Sequence, residues 1–188
     1  MGRRDQALLT LAISTGLRIS EIISLTTKSV HLTDAANVEC EGKGRKHRAT
    51  PIDPKTTILM REYLKERHTR PGAALFPGPK GKPLSRDAIE SRLRTHLKTA
   101  QEHSPTLPGK HITFHCLRHT CAMNLLNAGV DITVIALWLG HEQTTTTDIY
   151  LHQSMKTKYE AMERTRPPNT KPGTYKPDPD ILTWLNAL

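Results

Sequence analysis

Along most of this chain apolar residues recur at helical spacing, but in short stretches, most of them closed by a glycine or a proline. Leu8, Leu9, Ala12 and Ile13 form one such stretch before Thr15-Gly16 interrupts it. A second runs over "RISEIISL", with Ile19, Ile22 and Ile23 as its apolar side. Stretches this short cannot make long rods and must fold back around a shared core. Only two runs read as strands, "NVECEG" (Asn37–Gly42) and "RATPID" (Arg48–Asp53), with "KGRKH" as the turn between them. The expectation is a mainly α fold with a small antiparallel β-sheet (α+β), without internal repeats.

The remaining segments fit that outline. A helix is predicted over "PKTTILMREYLKERH", followed by the Pro- and Gly-rich loop "RPGAALFPGPKGKPLS". Ser85 should cap the next helix, with Ile89, Leu93 and Leu97 inward and Arg86, Arg92, Arg94, His96 and Lys98 on its other faces. A helical segment from His111 to Ala128 ends at Gly129. Asp131 should cap "ITVIALWL", which Gly140 stops. "TTTTDIYLHQSMKTKYEAMERTR" reads as a threonine-capped helix. The expected layout is one domain over residues 1–166, a Pro-rich tether over 167–180, and a short helix over 181–188.

A chain of 188 residues can bury one real core. Its charge of +9, from 27 Lys and Arg against 18 Asp and Glu, makes polyanions natural partners, although a charged solvated surface produces the same excess. Cys40, Cys116 and Cys121 are odd in number and lack C-x-x-C spacing, which argues against a disulfide framework or a zinc knuckle and fits a reducing cytoplasm. No apolar run approaches a membrane span, so no membrane partner is expected, and no signal peptide opens the sequence. The start goes straight into an apolar helical pattern, as in a stand-alone domain or one separated from a preceding domain.

The segment "TFHCLRHTCAMNLL" sets His115, Arg118 and His119 into an otherwise apolar helix, with Leu117, Cys121 and Leu125 as its inner stripe. His115 and His119 have the spacing of a zinc pair. Cys116 stands where a metalloprotease would have glutamate, however, and a neighbouring guanidinium repels a cation. An anion site and a solvated face both remain open on this helix alone. A second arginine, Arg18, follows the Thr-Gly break in "TGLRISEI", with Glu21 placed to hold it or simply to form a helix salt bridge. In "LGHEQTTTTDIYLH", His141 follows a helix stop and Tyr150 lies nine residues on. A tyrosine attacks phosphorus only where positive charge or a base assists it.

"TGLRISEI", "GKGRKHR", "HCLRHT" and "LGHEQTTTTDIY", in this order, resemble the signature of the tyrosine recombinase (phage integrase) family, especially its Xer-like members. The resemblance spans roughly Asp5 to Arg164 and implies that family's catalytic-domain fold. It further implies that Tyr150 attacks a backbone phosphate, leaving a 3′-phosphotyrosine and a free 5′-hydroxyl. Arg18 and Arg118 would hold the non-bridging oxygens, with charge-assisted bonds worth roughly 1.5–3 kcal/mol each. Lys43 would protonate the departing oxygen, with Arg45 and Lys46 as rivals. His115 would help accept the tyrosine proton, His141 would position a phosphate oxygen or the tyrosine, and Glu21 would support Arg18. His119 would be a buttress without a catalytic role.

Such chemistry stores the bond energy in the phosphotyrosine, so the resemblance implies no cofactor, neither metal nor ATP. The implied partner is double-stranded DNA, with self-association as the family tetramer and Trp184 and Leu185 on an apolar face that could dock on a neighbouring protomer or on the chain's own core. The family usually adds a DNA-gripping domain ahead of this one, and these residues do not supply it. Two further readings stand beside the recombinase. One is a type IB topoisomerase-like relaxing activity; the other is a DNA-binding integrase remnant without turnover.

Overall fold

The computed structural model describes residues 2–33, 35–41, 47–67 and 70–140. Helix α1 (Arg3–Thr15) buries Ala7, Leu8, Leu11, Ala12 and Thr15, a stripe stepping by threes and fours. Ile13, expected on that side, is 37% exposed because it lies off this stripe. Gly16 ends the helix at φ 65°. A Cβ there would sit 2.7 Å from Leu139 Cδ2 and 3.2 Å from Cys121 Cβ, so both backbone and packing require glycine. Helix α2 (Ile19–Ser24) follows at once and turns Ile19 and Ile22 into the core.

The sheet is antiparallel in the order β1 (Val30–His31), β2 (Asn37–Glu41), β3 (His47–Pro51). Strand β1 was not expected; two residues are too few to show a period. Along β2, buried Val38 and Cys40 alternate with exposed Glu39 and Glu41, and the register pairs Val38 with Thr50 and Cys40 with Arg48. Residues 42–46 of the turn, including Lys43, Arg45 and Lys46, lie outside the described residues.

Asp53 caps helix α3 (Pro54–Glu66) by accepting from the Thr56 amide at 2.9 Å, with Pro54 in the first turn. Met60 and Tyr63 point inward. The Tyr63 hydroxyl donates to the Leu75 carbonyl at 2.8 Å, and its ring stacks on Phe76 with centroids 5.7 Å apart. The Pro/Gly-rich stretch is thus a loop whose middle, Leu75 and Phe76, belongs to the core.

Ser85 caps helix α4 (Arg86–His103) by accepting from the Ala88 amide at 3.2 Å, and Ile89 and Leu93 are buried. Arg92 and His96 are not simply solvated, as their faces implied. They reach Asp5 of α1 at 2.8 Å and 3.1 Å, and Arg4 meets the other Asp5 oxygen at 3.0 Å. Burial opposes the charge on Asp5, but the hydrogen bonds from His96, Arg92 and Arg4 outweigh it and hold the carboxyl below its usual range. This ionic hub pins α4 to α1.

Helices α5 (Phe114–Asn127) and α6 (Ile132–Leu139) close the described part of the fold. Phe114, Leu117, Cys121, Ala122 and Leu126 form the inner side of α5, with Leu126 buried more fully than the expected Leu125. Leu126 lies four residues and about 40° around the helix from Ala122, on the side that turns toward α6. Ala122 and Leu126 meet Ile135 and Leu139 of α6 in a small cluster. Asp131 caps α6 through the Thr133 amide at 2.8 Å, and Gly140 ends it at φ 65°. No helix among the described residues is long and apolar enough to cross a membrane.

Candidate active site

Three helix ends meet at one place. The carbonyls at the end of α1 are left over by the helix and must find donors elsewhere. They find them on α5 and α6: Cys121 Sγ reaches the Ser14 carbonyl at 3.4 Å, Trp138 Nε1 the Thr15 carbonyl at 3.1 Å, and Arg118 Nη1 the Gly16 carbonyl at 2.7 Å. Arg118 Nη2 then donates to Leu139 O at 2.7 Å, the last residue of α6. A guanidinium only 3% exposed is therefore held between the negative ends of two helices, where its charge is favoured. Cys121 lies in the same wall, and burial pushes its thiol up to about 11.

Arg18 approaches from the other side. It is the residue before α2, and its amide donates to Glu21 Oε2 at 2.7 Å while its Nη1 donates to Glu21 Oε1 at 3.1 Å. Its Nη2 reaches Gly140 O at 3.3 Å. Arg18 and Arg118, from opposite halves of the sequence, thus converge on consecutive carbonyls of the α6 terminus. Arg18 has 39% of its side chain exposed and is the accessible member of the pair.

Glu21 is only 4% exposed, and Arg18 is not its sole partner. Arg48 of β3 forks onto it, Nη1 to Oε1 at 3.0 Å and Nη2 to Oε2 at 2.9 Å. Each carboxylate oxygen therefore receives two donors. The Arg48 guanidinium also lies against Gly140, where a Cβ would come within 3.0 Å of its Cζ. Sequence reasoning passed over Arg48. Arg48 closes the motif "GKGRKHR" and opens the strand-like run "RATPID", but its partner is 27 positions away.

His115 occupies the exposed first turn of α5, one turn before Arg118, while His119 is partly buried. At that helix start the Thr113 amide donates to Cys116 Sγ at 3.4 Å; the Thr113 contacts hold the Cys116 thiol below its usual range. Between α4 and residues 110–113 a cleft of about 350 Å³ carries Arg94, Lys98, Lys110 and His111 around Leu93 and Phe114. Lys43, His141 and Tyr150 lie outside the described residues, as do the tether over 167–180 and the segment 181–188 with Trp184 and Leu185.

Residues 1–157 match the model of the phage integrase family. The Sinorhizobium fredii protein y4rC, an integrase/recombinase by name, is 44% identical over 187 residues, which is 100% of this chain and 56% of that protein. Tyrosine recombinase XerC of Neisseria meningitidis is 40% identical over 148 residues, 78% of this chain and 46% of the relative. The chain therefore spans about half the length of the curated relatives it matches. Among solved structures, the XerA recombinase superposes with a TM-score of 0.73 at 27% identity, covering 89% of this chain and 58% of that one. The XerH site-specific recombinase bound to palindromic difH substrate superposes at 0.72 with 26% identity, covering 86% and 45%. In motif order, in sequence and in fold the answers agree: the chain belongs to the phage integrase family, among its Xer-like tyrosine recombinases.

Proposed function

We propose that this chain is the catalytic domain of a site-specific recombinase that cuts and rejoins double-stranded DNA through Tyr150. The observation that carries the reading is the convergence of Arg18 and Arg118 on the carbonyls of Gly140 and Leu139, immediately ahead of His141. Two fixed guanidiniums at one point suit a phosphate whose charge grows as a phosphorane forms. The excess of basic residues supports a polyanionic partner, and Arg94 and Lys98 on α4 extend the positive surface beside the α5 start. The relatives named as recombinases, and the XerH complex with its difH substrate, support the same substrate class.

In the proposed step the Tyr150 oxygen attacks phosphorus and the bond to the 5′-oxygen breaks. His115 takes the tyrosine proton, and Lys43 gives one to the leaving oxygen, which departs as an alcohol. Arg18 and Arg118 neutralise the non-bridging oxygens, His141 positions one of them or the tyrosine, and Glu21 holds Arg18. The product is a 3′-phosphotyrosine and a 5′-hydroxyl, and attack by another 5′-hydroxyl reverses the step on a new partner strand. The chemistry consumes no ATP and calls on no metal. Self-association on DNA, through Trp184 and Leu185, belongs to the proposal, as does a cytoplasmic setting.

Covalent capture tests it. Wild type and Tyr150→Phe are incubated with a random-sequence duplex pool in EDTA, and detergent-resistant adducts are sequenced. Adducts from the wild type alone support the reading and reveal the preferred site. Adducts from both proteins would move the nucleophile elsewhere. DNA binding without adducts from either would favour the non-catalytic remnant, and relaxation of supercoiled DNA without strand exchange would favour the topoisomerase-like reading.

A further inference from the structure

We infer that Arg48 is a positioning residue of this site: it orients Arg18 through Glu21 and ties the strand leaving the Lys43 turn to the end of α6. The inference rests on the recombinase reading and gives a role to Arg48, the last residue of "GKGRKHR", to which that reading assigns none. Three observations carry it. Arg48 forks onto both oxygens of Glu21 at 3.0 and 2.9 Å, opposite the two Arg18 donors, so that the carboxylate cannot rotate without breaking a bond to one arginine or the other. Its guanidinium packs on Gly140, whose carbonyl receives Arg18 Nη2 at 3.3 Å. It stands on β3, directly after the turn that holds Lys43.

A merely stabilising role accounts poorly for this arrangement. The Arg48 side chain is 14% exposed, and its Nε is buried with no hydrogen-bond partner among the described residues. A buried ion pair with an unmet donor is a poor stabiliser compared with apolar packing of similar volume. What the arrangement supplies is direction, because a planar fork fixes a carboxylate plane and a lysine does not. Arg18 then presents its exposed edge at one angle, set jointly by α2, β3 and the α6 terminus.

The test compares wild type, Arg48→Gln, Arg48→Lys, Arg18→Ala and the double variant Arg18→Ala/Arg48→Gln by two readouts. The first is guanidinium nitrogen NMR of Arg18, assigned by the signal that Arg18→Ala removes. Restrained rotation with separate Nη signals is expected in the wild type and averaged signals in Arg48→Gln, with helix content unchanged. Restraint that persists in Arg48→Gln would overturn the inference whatever the activity. The second is the rate of covalent adduct formation on the random-sequence duplex pool. Arg48→Gln should lose about a hundredfold in rate while duplex binding holds, as expected when a reacting group is misplaced rather than removed. Arg48→Lys should fall between, and the double variant should be no slower than Arg18→Ala. An Arg48→Gln rate equal to wild type, or a double variant slower by the full product of the single effects, would refute positioning through Arg18. If Arg48→Gln fails to fold, Arg48→Lys carries both comparisons. If the wild type forms no adduct, the recombinase reading fails, while the NMR comparison still decides whether Arg48 orients Arg18.

Discussion

Replacing Gly140 with alanine should damage the site out of proportion to the single methyl added. Gly140 has φ 65°, a region that costs an L-residue roughly 1–2 kcal/mol. The new Cβ would also come within 3.0 Å of Arg48 Cζ and 3.2 Å of its Cδ, and closer still to Nη1, so the guanidinium must shift. Arg48 is clamped to Glu21 by two charge-assisted bonds, and losing one of them adds roughly 1.5–3 kcal/mol. A domain of this size loses about 2–4 °C in Tm per kcal/mol, so the variant should melt about 10 °C lower. The assay is chemical denaturation of wild type, Gly140→Ala, Arg48→Ala and the double variant. With the Arg48 side chain gone, Gly140→Ala should cost only the backbone share, leaving a coupling of about 2 kcal/mol. An equal cost of Gly140→Ala in both backgrounds would show that no collision takes place and that Arg48 does not rest where the structure puts it.

Four further outcomes are expected. Asp5→Asn should destabilise the fold by about 3 kcal/mol at pH 7, since it leaves Arg92 and Arg4 without their buried counter-ion. Because the folded Asp5 titrates below its ordinary 3.8, its contribution is fully present above that value and fades as pH falls through the folded one; denaturation of both proteins from pH 7 to pH 2 should show the gap closing only in the acid limb. Ser85→Ala removes the acceptor of the Ala88 amide and should cost about 1 kcal/mol by thermal melting. In thiol labelling at pH 8 with mass readout, Cys116 should react first; Cys121, pushed up to about 11 by burial, and Cys40, pushed up likewise, should react only on unfolding. Arg118→Lys cannot reach the Gly16 and Leu139 carbonyls together, and should lower stability by about 2 kcal/mol while abolishing covalent capture.

Punctuation was the most legible part of this molecule. Gly16, Gly129 and Gly140 all take positive φ where the sequence placed helix ends, and Ser85 and Asp131 cap the helices assigned to them. These are local signals, written within four residues of the structure they cause. The strand-like run "NVECEG" was readable for the same reason. What escaped was long-range: Asp5 meets Arg92 and His96 across 87 and 91 positions, and Arg48 meets Glu21 across 27. No period or motif records such a pairing. Leu75 and Phe76 were hidden by the prolines and glycines around them. Arg118 stood out in the sequence as a candidate, but not as the donor that closes two helix ends, because those carbonyls come from segments the sequence keeps far apart.

The two carbonyls that receive Arg18 and Arg118 at the end of α6 have a consequence in time. A chain is made from its first residue onward, so Arg18 is present 122 residues before Gly140, and Arg118 21 residues before Leu139. Until then each lacks one of its anchors, and the Thr15 carbonyl lacks Trp138. Contacts separated by more than a hundred residues form late in folding, since a long loop must be closed to make them. An incomplete product that ends before α6 thus carries the arginines without the frame that aims them, and Tyr150, the proposed nucleophile, arrives later still.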